Sequence, residues 1–134
     1  MKIEAEESAL QEASSGRILI VEDDVDLRET LSRALVREGY AVAAAGDGAE
    51  ALSLITARPY DLVVVDLVLP RLGGMRLLEE VKALGLAMPT IVITAYGDRF
   101  SYNRAVELGA SEFLEKPLRM VELYRAVRRV LGIG

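Results

Sequence analysis

Polar side chains of a few types follow the short apolar runs of the sequence, at the points where the runs end. They are three carboxylates, one hydroxyl and one amine: Glu22, Asp23, Asp66, Thr94 and Lys116. If the runs are neighbouring parallel strands, these groups meet at one edge of a sheet. Crowded carboxylates repel one another unless a cation shares the site, and hard oxygen ligands suit Mg²⁺ better than a transition metal. The pattern therefore predicts a divalent metal site, for Mg²⁺ or for Mn²⁺ in its place.

Two residue types are missing, and their absence narrows the chemistry. The chain has no Cys and no His. Without Cys it can form no disulfide, zinc–thiolate site or thiol nucleophile. Without His it has no Ser–His catalytic pair, no imidazole metal ligand and no phosphohistidine of its own. Any reaction must therefore use carboxylates, hydroxyls, Lys or Arg.

The composition is that of one folded domain. The 134 residues are 51% hydrophobic and 28% charged, and a chain of this length can bury roughly two thirds of its unfolded surface. Lys and Arg number 16 against 21 Asp and Glu, a formal net charge of −5, so we expect no direct binding to nucleic acid or to a membrane. The acidic N-terminus has no signal-peptide pattern, and the apolar runs stop far short of the roughly 18 residues of a membrane span. We therefore expect a cytoplasmic protein.

Short apolar runs alternate with longer amphipathic stretches from Arg17 onward. The apolar runs predict five strands, at 18–21, 40–45, 62–65, 90–93 and 111–115. The stretches that follow them have apolar residues at a helical period and predict five helices, around 27–38, 48–55, 77–84, 99–108 and 121–131. Asp47 with Glu50 is typical of a capping box before the second helix. Strands that alternate with helices predict an α/β fold, a doubly wound parallel sheet with helices on both faces.

Residues 1–16 differ in composition from the rest of the chain. They contain four glutamates and few large apolar residues, among them Ile3 and Leu10, and they close on Ser-Ser-Gly. Such a segment cannot supply a core face. We expect an N-terminal extension at 1–16, flexible or in part a short surface helix, and a folded domain at 17–134.

Four segments resemble the receiver domain of two-component response regulators: ILIVEDD at 18–24, VVVDLVLP at 63–70, IVITA at 91–95 and FLEKP at 113–117. They occur in this order at the ends of predicted strands, and the resemblance extends from about Arg17 to Leu131. It implies a flavodoxin-like fold in which five strands lie in the order 2-1-3-4-5. The sequence departs from the family pattern at Glu22, where Asp is more frequent, and at 73–74, where Gly-Gly stands in place of Asp-Gly.

The resemblance implies that Asp66 accepts a phosphoryl group from the phosphohistidine of a histidine kinase or of a phosphotransfer protein. In such a transfer the protein mainly positions groups and neutralises charge. Thr94 would donate its hydroxyl and Lys116 its ammonium to phosphoryl oxygens, and the family suggests a cis bond between Lys116 and Pro117. The domain would then be a phosphoacceptor that takes part in its own phosphorylation and slow dephosphorylation, and not an enzyme in the ordinary sense.

The same resemblance assigns ligands to the metal. Asp23 and Asp66 would bind it directly, Glu22 through a water molecule, and Val68 through its backbone carbonyl. The side chains of Val68 and Tyr96 would flank the phosphoryl group. Val68 cannot hydrogen-bond an attacking water molecule and Tyr96 is bulky, so we expect a long-lived acyl phosphate.

A conformational switch is also implied. The new charge on Asp66 would draw Thr94 inward, and Phe113 would follow as a rotameric switch residue. The face formed by the fourth helix, fifth strand and fifth helix would then change for a downstream protein or a second copy of the chain. We expect no effector domain in residues 1–134, so the chain is either a stand-alone receiver or a fragment of a longer regulator.

Alternatives stay open for single residues and for the whole site. Asp23 or Asp24 could simply cap the next helix. A carboxylate-based phosphohydrolase would need a second acid two residues after Asp66, where the chain has Val68. A receiver-like module that signals without phosphate would not need Asp66 and Lys116 intact. A dinucleotide-binding fold lacks support because no G-x-G-x-x-G follows the first strand.

Overall fold

The fold is a parallel α/β sheet, as the alternation of runs predicts. The computed structural model describes residues 16–95 and 99–132. Within this part of the chain the strands are β1 Arg17–Val21, β2 Ala41–Ala45, β3 Leu62–Asp66, β4 Thr90–Thr94 and β5 Glu112–Glu115. The helices there are α1 Val25–Arg37, α2 Gly48–Ala57, α3 Gly74–Ala83, α4 Arg99–Glu107 and α5 Met120–Leu131. The described strands form one five-stranded sheet in the order β2-β1-β3-β4-β5, with every pair parallel, so the predicted fold class and strand order are confirmed.

Two apolar cores lie on the two faces of this sheet. Strand β3, Leu-Val-Val-Val-Asp, is buried at every position, because helices cover both of its faces. On one side, the inward residues of β1, β3 and β4 pack with α1 and α5. On the other side, the alternate residues of the same strands pack with α2, α3 and Ala105 of α4. The continuous apolar runs of the sequence reflect burial on both faces.

The starts of α1 and α2 are fixed by aspartate caps. Asp24 accepts a hydrogen bond from the Leu27 N–H at 3.2 Å, and Asp47 accepts one from the Glu50 N–H at 2.8 Å. The Glu50 carboxylate reaches back to the N–H of Gly46 at 2.8 Å, so the predicted capping box closes one residue earlier than in its usual form. Of the two aspartates considered as caps for the first helix, Asp24 therefore has that role.

The strand register brings the predicted functional positions to one edge. Val21 pairs with Val65, so Glu22 and Asp66 follow neighbouring positions of β1 and β3. Asp66 pairs with Ile93, and Thr94 pairs with Glu115. In a parallel sheet the carboxyl ends of all strands lie on the same edge, so the functional side chains come together there.

Candidate functional site

Three carboxylates meet at the carboxyl ends of β1 and β3. The ligand oxygens of Glu22, Asp23 and Asp66 all lie within 4.8 Å of one another. Glu22 and Asp66 are buried, with 1% and 4% of their surface exposed, whereas Asp23 is exposed. The spacing is right for one small cation with oxygen ligands, so the structure brings together the three side-chain ligands that the sequence predicts.

Lys116 enters this cluster from the end of β5. Its Nζ lies 2.6 Å from Asp66 Oδ2 and 3.1 Å from Glu22 Oε1. The Lys116 N–H donates to the Thr94 carbonyl at 2.9 Å, and the peptide bond between Lys116 and Pro117 is cis, as the resemblance suggests. The Lys116 ammonium therefore forms ion pairs with two buried carboxylates.

The Glu22 carboxylate is only partly satisfied by its surroundings. Its Oε2 accepts a hydrogen bond from the Asp24 N–H at 3.1 Å, whereas its buried Oε1 has the Lys116 ammonium at 3.1 Å as its ion-pair partner and makes no further hydrogen bond within the described residues. Burial raises the pKa of the Glu22 carboxyl above its ordinary value, while the Asp24 N–H and Lys116 lower it in part. A buried carboxylate oxygen with so few partners is a suitable ligand for a cation.

The charge of Lys116 is favoured by its neighbours. Burial alone lowers the pKa of the ammonium, but its contacts with Asp66 and Glu22 outweigh that effect and hold the pKa above its ordinary value. The side chain keeps 27% of its surface exposed. It can therefore remain a point charge at the mouth of the site.

The second carboxylate oxygen of Asp66 is held by the backbone. Asp66 Oδ1 accepts a hydrogen bond from the Val68 N–H at 2.9 Å. The Val68 side chain points outward, with 72% of the residue surface exposed. Both oxygens of Asp66 thus have fixed partners, Lys116 and the Val68 N–H, which hold the carboxylate in one orientation.

Thr94 and Phe113 lie on the neighbouring strands. Thr94 is the last residue of β4 and is buried. Phe113 in β5 is half-buried, and its ring centroid lies 4.4 Å from that of Tyr102 in α4, with the two planes tilted by 36°. Tyr96, which the family resemblance places beside the phosphoryl group, lies outside the described residues.

Two arginines near the site were not found by sequence reasoning. Arg28 Nη1 donates to the Glu22 carbonyl at 2.9 Å, and a Cβ at Gly46 would lie 2.9 Å from the same Nη1. The position of Arg28, one helical turn after the N-cap Asp24, could have indicated that its side chain reaches the end of β1. Arg71 forms an ion pair with Asp47, and no local pattern points to that pair. Arg28 thus connects α1 with the end of β1, and Arg71 connects the loop after β3 with the start of α2.

None of the helices in the described part of the chain is long and apolar enough to span a membrane.

Comparison with protein families gives one match that covers most of the chain. The family model of the response regulator receiver domain matches residues 18–128. Response regulator MprA of Mycobacterium sp. (strain KMS) is 38% identical over 115 residues, which are 86% of this chain and 50% of MprA. The probable transcriptional regulatory protein SilR of Salmonella typhimurium is 36% identical over 118 residues, 88% of this chain and 52% of SilR. The chain spans about half the length of these curated relatives.

Solved structures of receiver domains superpose closely on this fold. A response regulator receiver domain protein (CheY-like) from Methanospirillum hungatei is similar with a TM-score of 0.83 and 30% identity, over 87% of this chain and 93% of that one. The receiver domain of Francisella response regulator 1452 gives a TM-score of 0.82 and 26% identity, over 87% and 97% of the two chains. With the strand order and the acidic edge described above, these matches show that the chain belongs to the response regulator receiver domain family of two-component signalling proteins.

Proposed function

We propose that this receiver domain accepts a phosphoryl group on Asp66 from a histidine kinase or a phosphotransfer protein, with Mg²⁺ or Mn²⁺ bound. The observation that carries the proposal is the setting of Asp66. Its carboxylate is buried, its Oδ2 lies 2.6 Å from Lys116 Nζ, and the carboxylates of Glu22 and Asp23 are within 4.8 Å. Fixed positive charge beside a carboxylate nucleophile is what a phosphoryl transfer needs, since negative charge accumulates there.

The transfer uses residues of this chain in separate roles. One oxygen of the Asp66 carboxylate forms the new O–P bond, and the P–N bond to the donor imidazole breaks with its electron pair left on nitrogen. The Lys116 ammonium gives a compact charge to the phosphoryl oxygens. The Thr94 hydroxyl, at the end of the adjacent strand, donates a hydrogen bond to one of them.

Glu22, Asp23, Asp66 and the backbone carbonyl of Val68 would hold the metal ion. The donor set is all oxygen, which favours Mg²⁺ or Mn²⁺. The buried Glu22 Oε1, whose one close partner among the described residues is the Lys116 ammonium, supports the assignment. When bound, the ion supplies Lewis-acid stabilisation of charge on the phosphoryl oxygens.

The domain phosphorylated on Asp66 acts by binding a partner and does not catalyse a further reaction. A phosphoryl group on Asp66 draws Thr94 toward it, and Phe113 responds in the next strand. Contact between the Phe113 and Tyr102 rings supports a route to the face formed by α4, β5 and α5, where a downstream protein or a second copy would bind. The apolar character of Val68, two residues after Asp66, supports slow hydrolysis, because its side chain cannot orient a water molecule.

Intact mass spectrometry tests the phosphoacceptor directly. The chain is treated with a small acyl phosphate donor, with and without Mg²⁺, as wild type, as Asp66→Asn and as the control Asp26→Asn, which changes an exposed acid of α1. We expect one added phosphoryl group in the wild type and the control, dependent on Mg²⁺, and none in Asp66→Asn. Equal labelling of Asp66→Asn would overturn the assignment.

A further inference from the structure

The loop between β3 and α3, residues 67–73, connects the acidic cluster with the start of α2. At its base the Gly74 N–H donates to the Leu67 carbonyl at 3.1 Å. At its far end Arg71 and Leu72 have φ angles of 47° and 75°, in the left-handed region that non-glycine residues seldom adopt. Two such residues in succession persist only where surrounding contacts hold them.

Two contacts with α2 hold this far end. The Arg71 guanidinium forms an ion pair with the carboxylate of Asp47, whose side chain is 5% exposed although that of Arg71 is 78% exposed. The backbone of Leu72 lies against Gly48, where an added Cβ would be 1.9 Å from the Leu72 carbonyl oxygen. The loop therefore rests directly on the N-terminus of α2, and a glycine is required there.

Arg71 is the one polar side chain of the loop, whose sequence is Leu-Val-Leu-Pro-Arg-Leu-Gly. The leucines of the loop pack into the core beneath it, and such packing tolerates small shifts. An ion pair to a buried, capping carboxylate fixes direction more tightly, since Asp47 is itself held by the Glu50 N–H at 2.8 Å. The polar contact thus sets where the outer end of the loop lies.

We propose that Arg71 is a positioning residue, whose ion pair with Asp47 holds the 67–73 loop so that the Val68 carbonyl faces the acidic cluster. Val68 is three residues before Arg71, and its N–H already donates to Asp66 Oδ1. The direction of the Val68 carbonyl is fixed only if both ends of the 67–73 loop are held in place. The inference rests on the proposed function, because Val68 matters only where its carbonyl binds the metal ion.

Titration of the whole chain with Mg²⁺ in a calorimeter tests the proposal. The variants are Arg71→Ala, Arg71→Lys and the matched control Arg76→Ala, which removes an exposed arginine paired with Glu80 at 2.9 Å. We expect Arg71→Ala to weaken Mg²⁺ binding about tenfold, at the lower end of what loss of an outer partner of a metal ligand costs. Arg71→Lys should restore part of the affinity, and Arg76→Ala should match the wild type. The melting temperature without metal should fall by no more than it does in Asp47→Asn, since the contact that Arg71→Ala removes is the ion pair with Asp47.

A second pair of variants separates the ion pair from general damage. Asp47→Asn keeps a cap for α2 and removes the charge, so it should weaken Mg²⁺ binding as Arg71→Ala does, and the double variant should be no worse than either single one. Mg²⁺ affinity of Arg71→Ala within twofold of wild type would overturn the inference alone, provided that the wild type binds Mg²⁺. A wild type that binds no Mg²⁺ would overturn the proposed function and the inference together.

Discussion

At the scale of single residues, the site has more negative than positive charge. The ammonium of Lys116 contacts two buried carboxylates, those of Glu22 and Asp66, and the exposed Asp23 adds a third negative charge nearby. Without another cation, one ammonium offsets only part of the repulsion among the three carboxylates. We therefore expect the cluster to lower the stability of the metal-free chain, and the binding of a divalent ion to raise it.

Removing the exposed acid tests that balance. We expect Asp23→Ala to abolish measurable Mg²⁺ binding, because a direct ligand is lost, and to raise the free energy of unfolding of the metal-free chain by about 0.5 kcal/mol, because repulsion at an exposed site is weak. Calorimetric Mg²⁺ titration and urea unfolding measure the two effects. The neighbouring variant Asp26→Ala serves as the control, and Mg²⁺ binding by Asp23→Ala equal to that of the control would remove Asp23 from the site.

The ends of secondary-structure elements set the geometry of the site. Helix α3 begins directly against the end of β3, since a Cβ at Gly74 would lie 2.4 Å from the Asp66 carbonyl oxygen. Its N-cap residue, Gly73, makes no side-chain capping bond, which is the structural consequence of Gly-Gly at 73–74. Helix α2, in contrast, is capped by Asp47. The capped start of α2 thus anchors, through the Arg71–Asp47 ion pair, the loop that leads into α3, whose own start has no side-chain cap.

The start of α2 should make stability depend on pH. The Glu50 N–H and the Arg71 guanidinium lower the pKa of the Asp47 carboxyl below its ordinary value of 3.8. The charged carboxylate is therefore favoured in the folded state, and its contribution is present above the unfolded pKa and lost as pH falls through the folded one. We expect the wild type to melt at a higher temperature than Asp47→Asn near neutral pH, and the gap to narrow below about pH 4.

Melting curves over a pH series measure this gap, because Asn still caps a helix and the difference isolates the charge. Glu29→Gln, which removes an exposed acid paired with Arg33 at 3.6 Å, is the control and should show little gap at any pH. A gap for Asp47→Asn that stayed constant down to about pH 3 would contradict the role given to the Asp47 charge.

Over the whole molecule, one sheet joins the two cores and places the site at its edge. The backbone is tied into the sheet from Gly16, whose carbonyl accepts the Ala41 N–H at 2.9 Å, and the Arg17 N–H donates to Asp61 at 2.8 Å. These contacts begin one residue before the boundary predicted at 17. The core residues that fill both faces all follow this point.

We therefore expect that residues 1–15 are dispensable for folding and for phosphorylation. A chain that begins at Gly16 should melt within about 2 °C of the full chain, since a loss of apolar packing would shift the melting temperature further. Thermal melting and labelling with an acyl phosphate donor, followed by mass measurement, check both parts. A fall of several degrees would show instead that the extension docks on the domain.

The fold class and the members of the acidic cluster could be predicted from the residues, and the strand order could be predicted through the family resemblance. Apolar runs buried on both faces and amphipathic stretches between them are local patterns, and parallel strands necessarily share one carboxyl edge. For that reason the sequence places Glu22, Asp66 and Lys116 in one cleft, and the distances of 2.6 and 3.1 Å from the Lys116 ammonium to the two carboxylates agree with that prediction.

The contacts that hold the loops around this cleft could not be predicted from local sequence. The Arg71–Asp47 pair joins residues 24 positions apart, and the two consecutive residues Arg71 and Leu72 both have positive φ angles. The residue types do not predict these positive φ angles, since neither Arg71 nor Leu72 is a glycine or an asparagine. The close approach of Leu72 to Gly48 is likewise a property of two packed elements. Chemistry at the strand ends follows from local sequence, whereas the bracing of the loops follows from packing between distant segments.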